Sequence, residues 1–182
     1  MSFLAQWRHA RDRRKRAAVY LTSIGQELPS ADIAWLSALA PGASRECAGR
    51  ELAFARRAVA LIVAERDALD DRTASDVAHE LGAARSIEAR RDGDVARAWS
   101  NRWLAYTNAL AARGSSEAPA ARIARVMLEG AGVSQATPEV LLEATQVINM
   151  FRSSANEALR QAFGAASMPE DVRPSALGSA SR

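Results

Sequence analysis

The sequence predicts an all-α fold, a compact bundle of six or seven helices followed by a disordered C-terminal tail. Three observations predict it. Ala supplies 41 of the 182 residues, and Ala has the strongest intrinsic helix preference because its side chain loses no rotamer entropy in a helix. Large apolar residues recur at spacings of three and four, the period of a helix face. No stretch alternates apolar and polar residues for long enough to make a strand.

The first helix is expected over Phe3–Ile24, apolar at both ends and strongly basic between them, with Gly25 ending it in the left-handed conformation. Pro29-Ser30 opens a short second helix, with Ser30 as N-cap, Asp32 in the first turn and Ile33, Leu36 and Leu39 at helical spacing; Pro41-Gly42 ends it. Ser44 caps the third helix and Glu46 sits in its first turn. There Leu52, Ala55, Val59, Ile62 and Leu69 make one apolar stripe and Phe54, Ala58 and Leu61 a second. Two stripes imply burial on more than one side, so this helix is expected at the centre.

Residues 70–76, DDRTASD, favour a break over one helix continuing to about residue 91, with Thr73 as the next cap and Asp76 in the first turn. The fourth helix then presents Val77, Leu81, Ala84 and Ile87. Asp94 is the expected cap of the fifth, on which Val95, Trp99, Trp103, Tyr106 and Leu110 share a face; Gly114 closes it. Pro119 starts a sixth helix that ends at Gly130. Thr137-Pro138-Glu139 is the clearest helix start in the chain, and the last helix runs from it to Gly164. The organisation expected is a basic N-terminal helix over 1–25, a helical bundle over 26–166 with a subdomain break near 114–119, and a disordered tail over 167–182.

Composition narrows the setting. A single cysteine, Cys47, excludes an internal disulfide framework. The longest strongly apolar run, Ala58 to Ala64, is far short of the ~20 residues a bilayer requires. A reducing, cytoplasmic environment is the expectation. Of the 24 basic residues all but Lys15 are Arg, which together with the Ala content reads as GC-rich codon usage and raises the pI without naming a partner.

The distribution of charge says more than its total. Residues 8–16 hold Arg8, Arg11, Arg13, Arg14, Lys15 and Arg16 against the single acid Asp12, a local balance of +5 in a chain whose net charge is only +3. The excess positive charge therefore lies in the first helix. Such a segment can remain a solvated face, dock on an acidic protein, neutralise phosphates of a nucleic acid, or rest on an anionic membrane surface through residues 3–16.

Trp99, Trp103 and Tyr106 form an aromatic stripe that reads first as core and second as a partner-binding face, which a homodimer would bury. Arg102 beside them is placed to stack on a ring or to reach an acid. The polar cluster Asp70, Asp71, Asp76, His79 and Glu80 is where chemistry would be sought. Asp76 and His79 share a helix face, but a dinuclear carboxylate site needs two acid-x-x-His pairs, and the only other histidine, His9, lies among Arg residues. Cys47, in the first turn of its helix, is the candidate thiol. No cofactor is called for.

The functional expectation is a non-catalytic helical interaction protein, an adaptor or a small subunit of a larger assembly with a protein partner. The alternatives are a nucleic-acid-associated protein acting through the Arg-rich helix, and a metal or thiol enzyme around Asp76, His79 and Cys47.

Overall fold

The computed structural model describes residues 3–40, 44–66, 71–111 and 116–164. They form seven helices: α1 (Phe3–Ile24), α2 (Ser30–Leu39), α3 (Arg45–Arg66), α4 (Asp71–Arg91), α5 (Gly93–Ala111), α6 (Pro119–Gly130) and α7 (Pro138–Phe163). The all-α bundle expected from the sequence is the fold. The Pro41-Gly42 and Gly114 stops, Leu69 and the tail expected over 167–182 lie outside the described residues.

α3 packs against each of the other six helices. Its two apolar stripes are both buried, Leu52, Ala55 and Val59 on one and Phe54, Ala58 and Leu61 on the other. Small residues make this crowding feasible: twelve of the thirty-one buried apolar residues described are Ala. At Gly49 an added Cβ would already touch the Ile33 side chain of α2. Around α3, α1 lies against α4 and α7, α5 against α4 and α6, and α6 against α7. α1 is thus part of the bundle, and α6 packs on α5 across the 114–119 connection.

Polar contacts fix the order of these neighbours. Tyr20 of α1, fully buried, donates its hydroxyl to the Ala60 carbonyl of α3 at 2.8 Å. Arg13 Nε reaches Asp76 Oδ2 of α4 at 2.9 Å. Arg57 of α3 grips Glu88 of α4 with both guanidinium nitrogens, at 2.6 and 3.0 Å. Trp35 Nε1 of α2 donates to Glu143 Oε2 of α7 at 2.9 Å.

Several helix ends differ from the sequence expectation by one or two residues, each for a local reason. The N-cap of α2 is Pro29, so Ser30 is already helical and caps nothing. α4 starts at Asp71, which places Thr73 inside the helix and buries it. Asp92, not Asp94, caps α5: its Oδ1 accepts from the amides of Asp94 and Val95 at 3.0 and 3.1 Å. On α4, Val77 and Leu81 face the core, but Ala84 and Ile87 are exposed, because the inward position near that end is taken by Glu88 in its pair with Arg57. α1 does end at Ile24, but Gly25 is not among the residues with positive φ.

α6 ends by a device the sequence hides. Gly132, at φ +91°, is the left-handed residue. The Val133 amide bonds the Leu128 carbonyl at 2.9 Å and the Gly132 amide that of Glu129 at 3.0 Å, the paired bonds of a Schellman stop. Buried Val133 and Leu128 supply its apolar contact. Thr137, Pro138 and Glu139 then start α7 as the sequence predicts, with Thr137 Oγ1 accepting from the Val140 amide.

Two glycine substitutions separate these roles. Gly132→Ala should lower stability by about 1–2 kcal/mol, the cost of a Cβ in the left-handed region. Gly82, mid-α4 with nothing within reach of a Cβ, should gain about 0.4–1 kcal/mol as Gly82→Ala by restricting the unfolded chain. Urea denaturation followed by circular dichroism measures both.

Candidate functional site

Two groups of polar side chains stand out, one outside the bundle and one within it. The outer group is the basic segment of α1. Ala17, Tyr20 and Ile24 define the buried face of this helix. Arg8, Arg11 and Lys15, spaced by three and four, therefore line up on the opposite face and are exposed, with Arg14 and Arg16 exposed on its flanks. Among the described residues, Arg8, Arg14, Lys15 and Arg16 form no ion pair. Arg11 lies over the ring of Trp7, 5.7 Å from its centroid, and Trp7 is itself 54% exposed. Arg13 is the exception in the row: it turns inward to Asp76 and serves to hold α1 on α4.

The inner group contains an acid that the sequence reading passed over. Glu51 of α3 is only 4% exposed. Arg102 of α5 meets it with Nε at 2.9 and 3.1 Å from the two carboxylate oxygens and with Nη2 at 2.7 Å from Oε1. Tyr106, one turn along α5 and fully buried, donates its hydroxyl to Glu51 Oε1 at 2.6 Å. Arg102 also donates to the Val126 carbonyl of α6 and lies over the Tyr106 ring at 5.4 Å. Arg102 thus both stacks on a ring and reaches an acid. The cluster joins three helices, and it explains Gly130: a Cβ there would overlap the Arg102 guanidinium and the Glu51 carboxylate. Gly130 is the last residue of α6 and permits close approach, while Gly132 makes the turn.

Electrostatics follow from this packing. Burial alone pulls the Arg102 guanidinium pKa down, but the hydrogen bonds and charge of Glu51, aided by Tyr106, outweigh it and the net shift is upward. Burial, and secondarily the facing charge of Glu51, hold the Tyr106 phenol well above its ordinary value. The phenol is therefore a permanent donor.

The aromatic stripe of α5 is mostly interior. Trp99 and Tyr106 are buried, Trp103 is partly buried, and Trp99 packs on Phe54 and Trp103 with centroids 5.1 and 5.6 Å apart. This face is turned into the chain's own core, so Trp99 and Tyr106 offer no open surface to a partner or second copy.

Of the residues considered for metal or thiol chemistry, Asp76, His79 and Cys47 are not brought together, and Asp70 lies outside the described residues. Asp76 is held by Arg13, and His79 is exposed. The Arg57–Glu88 pair sets an antiparallel register between α3 and α4, which puts His79 level with Arg66. Cys47 is nineteen residues away along α3, roughly 28 Å at the helical rise. Among the described residues no cluster of three or more His, Cys, Asp or Glu is placed to hold a metal ion. No helix described is long and apolar enough to cross a membrane. Compared with known protein families, curated proteins and solved structures, the chain shows no match.

The inner cluster yields two measurable expectations. Glu51→Ala leaves the Arg102 charge buried without its counter-ion and should cost about 3–5 kcal/mol, whereas Tyr106→Phe removes one charge-assisted hydrogen bond and should cost about 1.5–3 kcal/mol. The second expectation concerns pH. Because Tyr106 keeps its proton when folded after an unfolded phenol has lost it near pH ~10, its contribution is complete below that pH and is lost as pH rises further. Denaturant curves from pH 9 to 11.5 should show a steeper alkaline loss of stability in the wild type than in Tyr106→Phe.

Proposed function

We propose that this chain is a non-catalytic helical interaction protein, an adaptor or small subunit of a larger assembly, that docks on an acidic protein surface through the outward face of α1. The observation that carries this reading is the exposed row of Arg8, Arg11 and Lys15, flanked by Arg14 and Arg16, on a helix whose opposite face is fixed to the bundle by Tyr20 and Arg13. A helix anchored on one side loses little further conformational freedom when the other side binds, which favours recognition by a rigid face. Clustered charge of one sign also speeds and orients encounter with a partner of the opposite sign.

Nucleic acid is the second reading, and Trp7 is the observation that favours it. Half exposed and stacked under Arg11, it sets an aromatic plane at the end of the cationic row, where a base could stack.

The test uses Arg8→Glu, Arg11→Glu and Lys15→Glu together, substitutions at exposed positions that should leave the melting temperature nearly unchanged. A protein that co-purifies with the wild type from its native cell should bind the purified wild type in a salt-sensitive manner and be released by the reversal. Retention by the reversed chain would exclude α1 as the docking face. If nucleic acid is the ligand instead, affinity should fall steeply with salt. Replacing the three residues by Ala should then reduce the log–log salt slope by between about two and three.

A further inference from the structure

The outward face of α1 changes character along its length. Trp7, Arg11, Lys15, Val19 and Ser23 follow one another at a spacing of four, which makes them one ridge of the helix. The first four of them are exposed. The ridge is cationic in its first half and apolar at Val19, and its far end reaches a groove. Ser23 and Glu27 line that groove together with Asp32 of α2, Arg56 of α3, and Met150 and Glu157 of α7.

The groove is acidic. Glu27, Asp32 and Glu157 stand against one cation, Arg56, whose guanidinium already donates to the Gln26 carbonyl. Among the described residues Glu27 and Asp32 form no ion pair. One helix thus bears unpaired cations along its first half and ends beside unpaired acids. Exposed apolar side chains fall on the same two surfaces. Of the six large ones among the described residues, Trp7 and Val19 lie on the ridge and Met150 in the groove.

We propose that the acidic surface recognised by α1 is the groove of a second copy of this chain, the two α1 helices packing antiparallel about a two-fold axis at Val19. The inference rests on the reading of α1 as a docking face and names its partner. A two-fold axis sets each residue opposite the one equally far beyond the axis. Arg11 and Glu27 each stand eight residues from Val19, and Lys15 and Ser23 each stand four. Arg11 of each copy therefore meets Glu27 of the other, and Lys15 meets a hydroxyl. Asp12, the one acid of the basic segment, falls opposite Gln26, which is uncharged. Val19 meets its own counterpart, so the apolar residue of the ridge is covered at the centre. A parallel pair would set the two cationic rows against each other, where like charges repel. The antiparallel contact closes on itself and gives a dimer, not a filament.

Sedimentation velocity of the purified full chain, from micromolar to millimolar concentration and at low and high salt, is the experiment. The wild type should be a reversible dimer whose dissociation constant rises at least tenfold with added salt, because its charge pairs lie at an exposed rim. The chain with Arg8→Glu, Arg11→Glu and Lys15→Glu should be monomeric. So should Glu27→Lys with Glu157→Lys, both at exposed positions, and both chains should melt near the wild-type temperature. Mixed in equal amounts, the two monomeric chains should associate into a dimer, since every ridge then faces a groove of opposite sign. A wild type that stays monomeric at millimolar concentration, a dimer that survives either reversal, or a mixture that fails to associate would each overturn the proposal. The first of these results leaves α1 as the docking face for a different acidic protein, which the same reversal at Arg8, Arg11 and Lys15 would still release.

Discussion

The arrangement of α3, α5 and α6 depends on one buried charge, the carboxylate of Glu51. A carboxylate taken out of water is costly unless its lone pairs are met, and here Arg102 and Tyr106 meet them from the next helix. The three groups are mutually dependent. Arg102 and Tyr106 sit four residues apart on α5, so both reach Oε1 only at one rotation and one height of α5 against α3. The bond from Arg102 to the Val126 carbonyl extends the same condition to α6, and the missing side chain at Gly130 lets α6 approach closely enough to form it. Apolar contacts between Ala-rich helices are weakly directional. A hydrogen-bonded ion pair is not, and it selects one register among packings that burial alone would rank nearly equally.

The same logic runs outward to α1. Tyr20 is locked to the Ala60 carbonyl and Arg13 to Asp76, so the inner face of α1 is specified by two polar contacts and a short apolar seam of Ala17, Tyr20 and Ile24. That assignment decides which cations remain at the surface. Arg13 belongs to the same charged run as Arg11 and Arg14, but in the fold it is a strut and its neighbours are a surface.

Much of this was legible in the sequence where a residue type has a single local use. Pro119 and Pro138 after Thr137 mark helix starts that the structure keeps, because a proline at the first helical position has few alternatives. The hydroxyl of Ser44 also keeps its start, whereas Ser30 and Thr73 are drawn inside their helices. Positions with equivalent neighbours were not legible. Asp92 and Asp94 are both competent caps, and the choice between them turns on where Gly93 enters the helix. Gly130 and Gly132 are both competent stops, and only the proximity of Glu51 shows that Gly130 is needed inside the helix. Of the ion cluster, Arg102 was visible among the aromatics of α5, and Glu51 was missed although a signal existed. It lies between Ala48 and Ala55 on a buried face of α3, where a lone acid calls for a partner. Reading α3 by its apolar residues alone passed over the one polar residue that the arrangement could not place at the surface.

The biased composition that obscures function in this sequence also generates its candidate sites. An interior in which Ala is the commonest buried residue lets helices approach closely but gives few directional contacts, which leaves the polar pairs to set register. Arg in place of Lys supplies planar, permanently charged groups with several donors, suited to carboxylates and phosphates where an ammonium would act as a simple point charge. Neither tendency requires selection for a ligand to arise. What distinguishes a site from the by-product of codon usage is arrangement, because composition alone scatters cations among acids. On the outer face of α1 the cations Arg8, Arg11 and Lys15 stand in one row, whereas Arg57 and Arg102 are each matched to an acid, Glu88 and Glu51, inside the bundle.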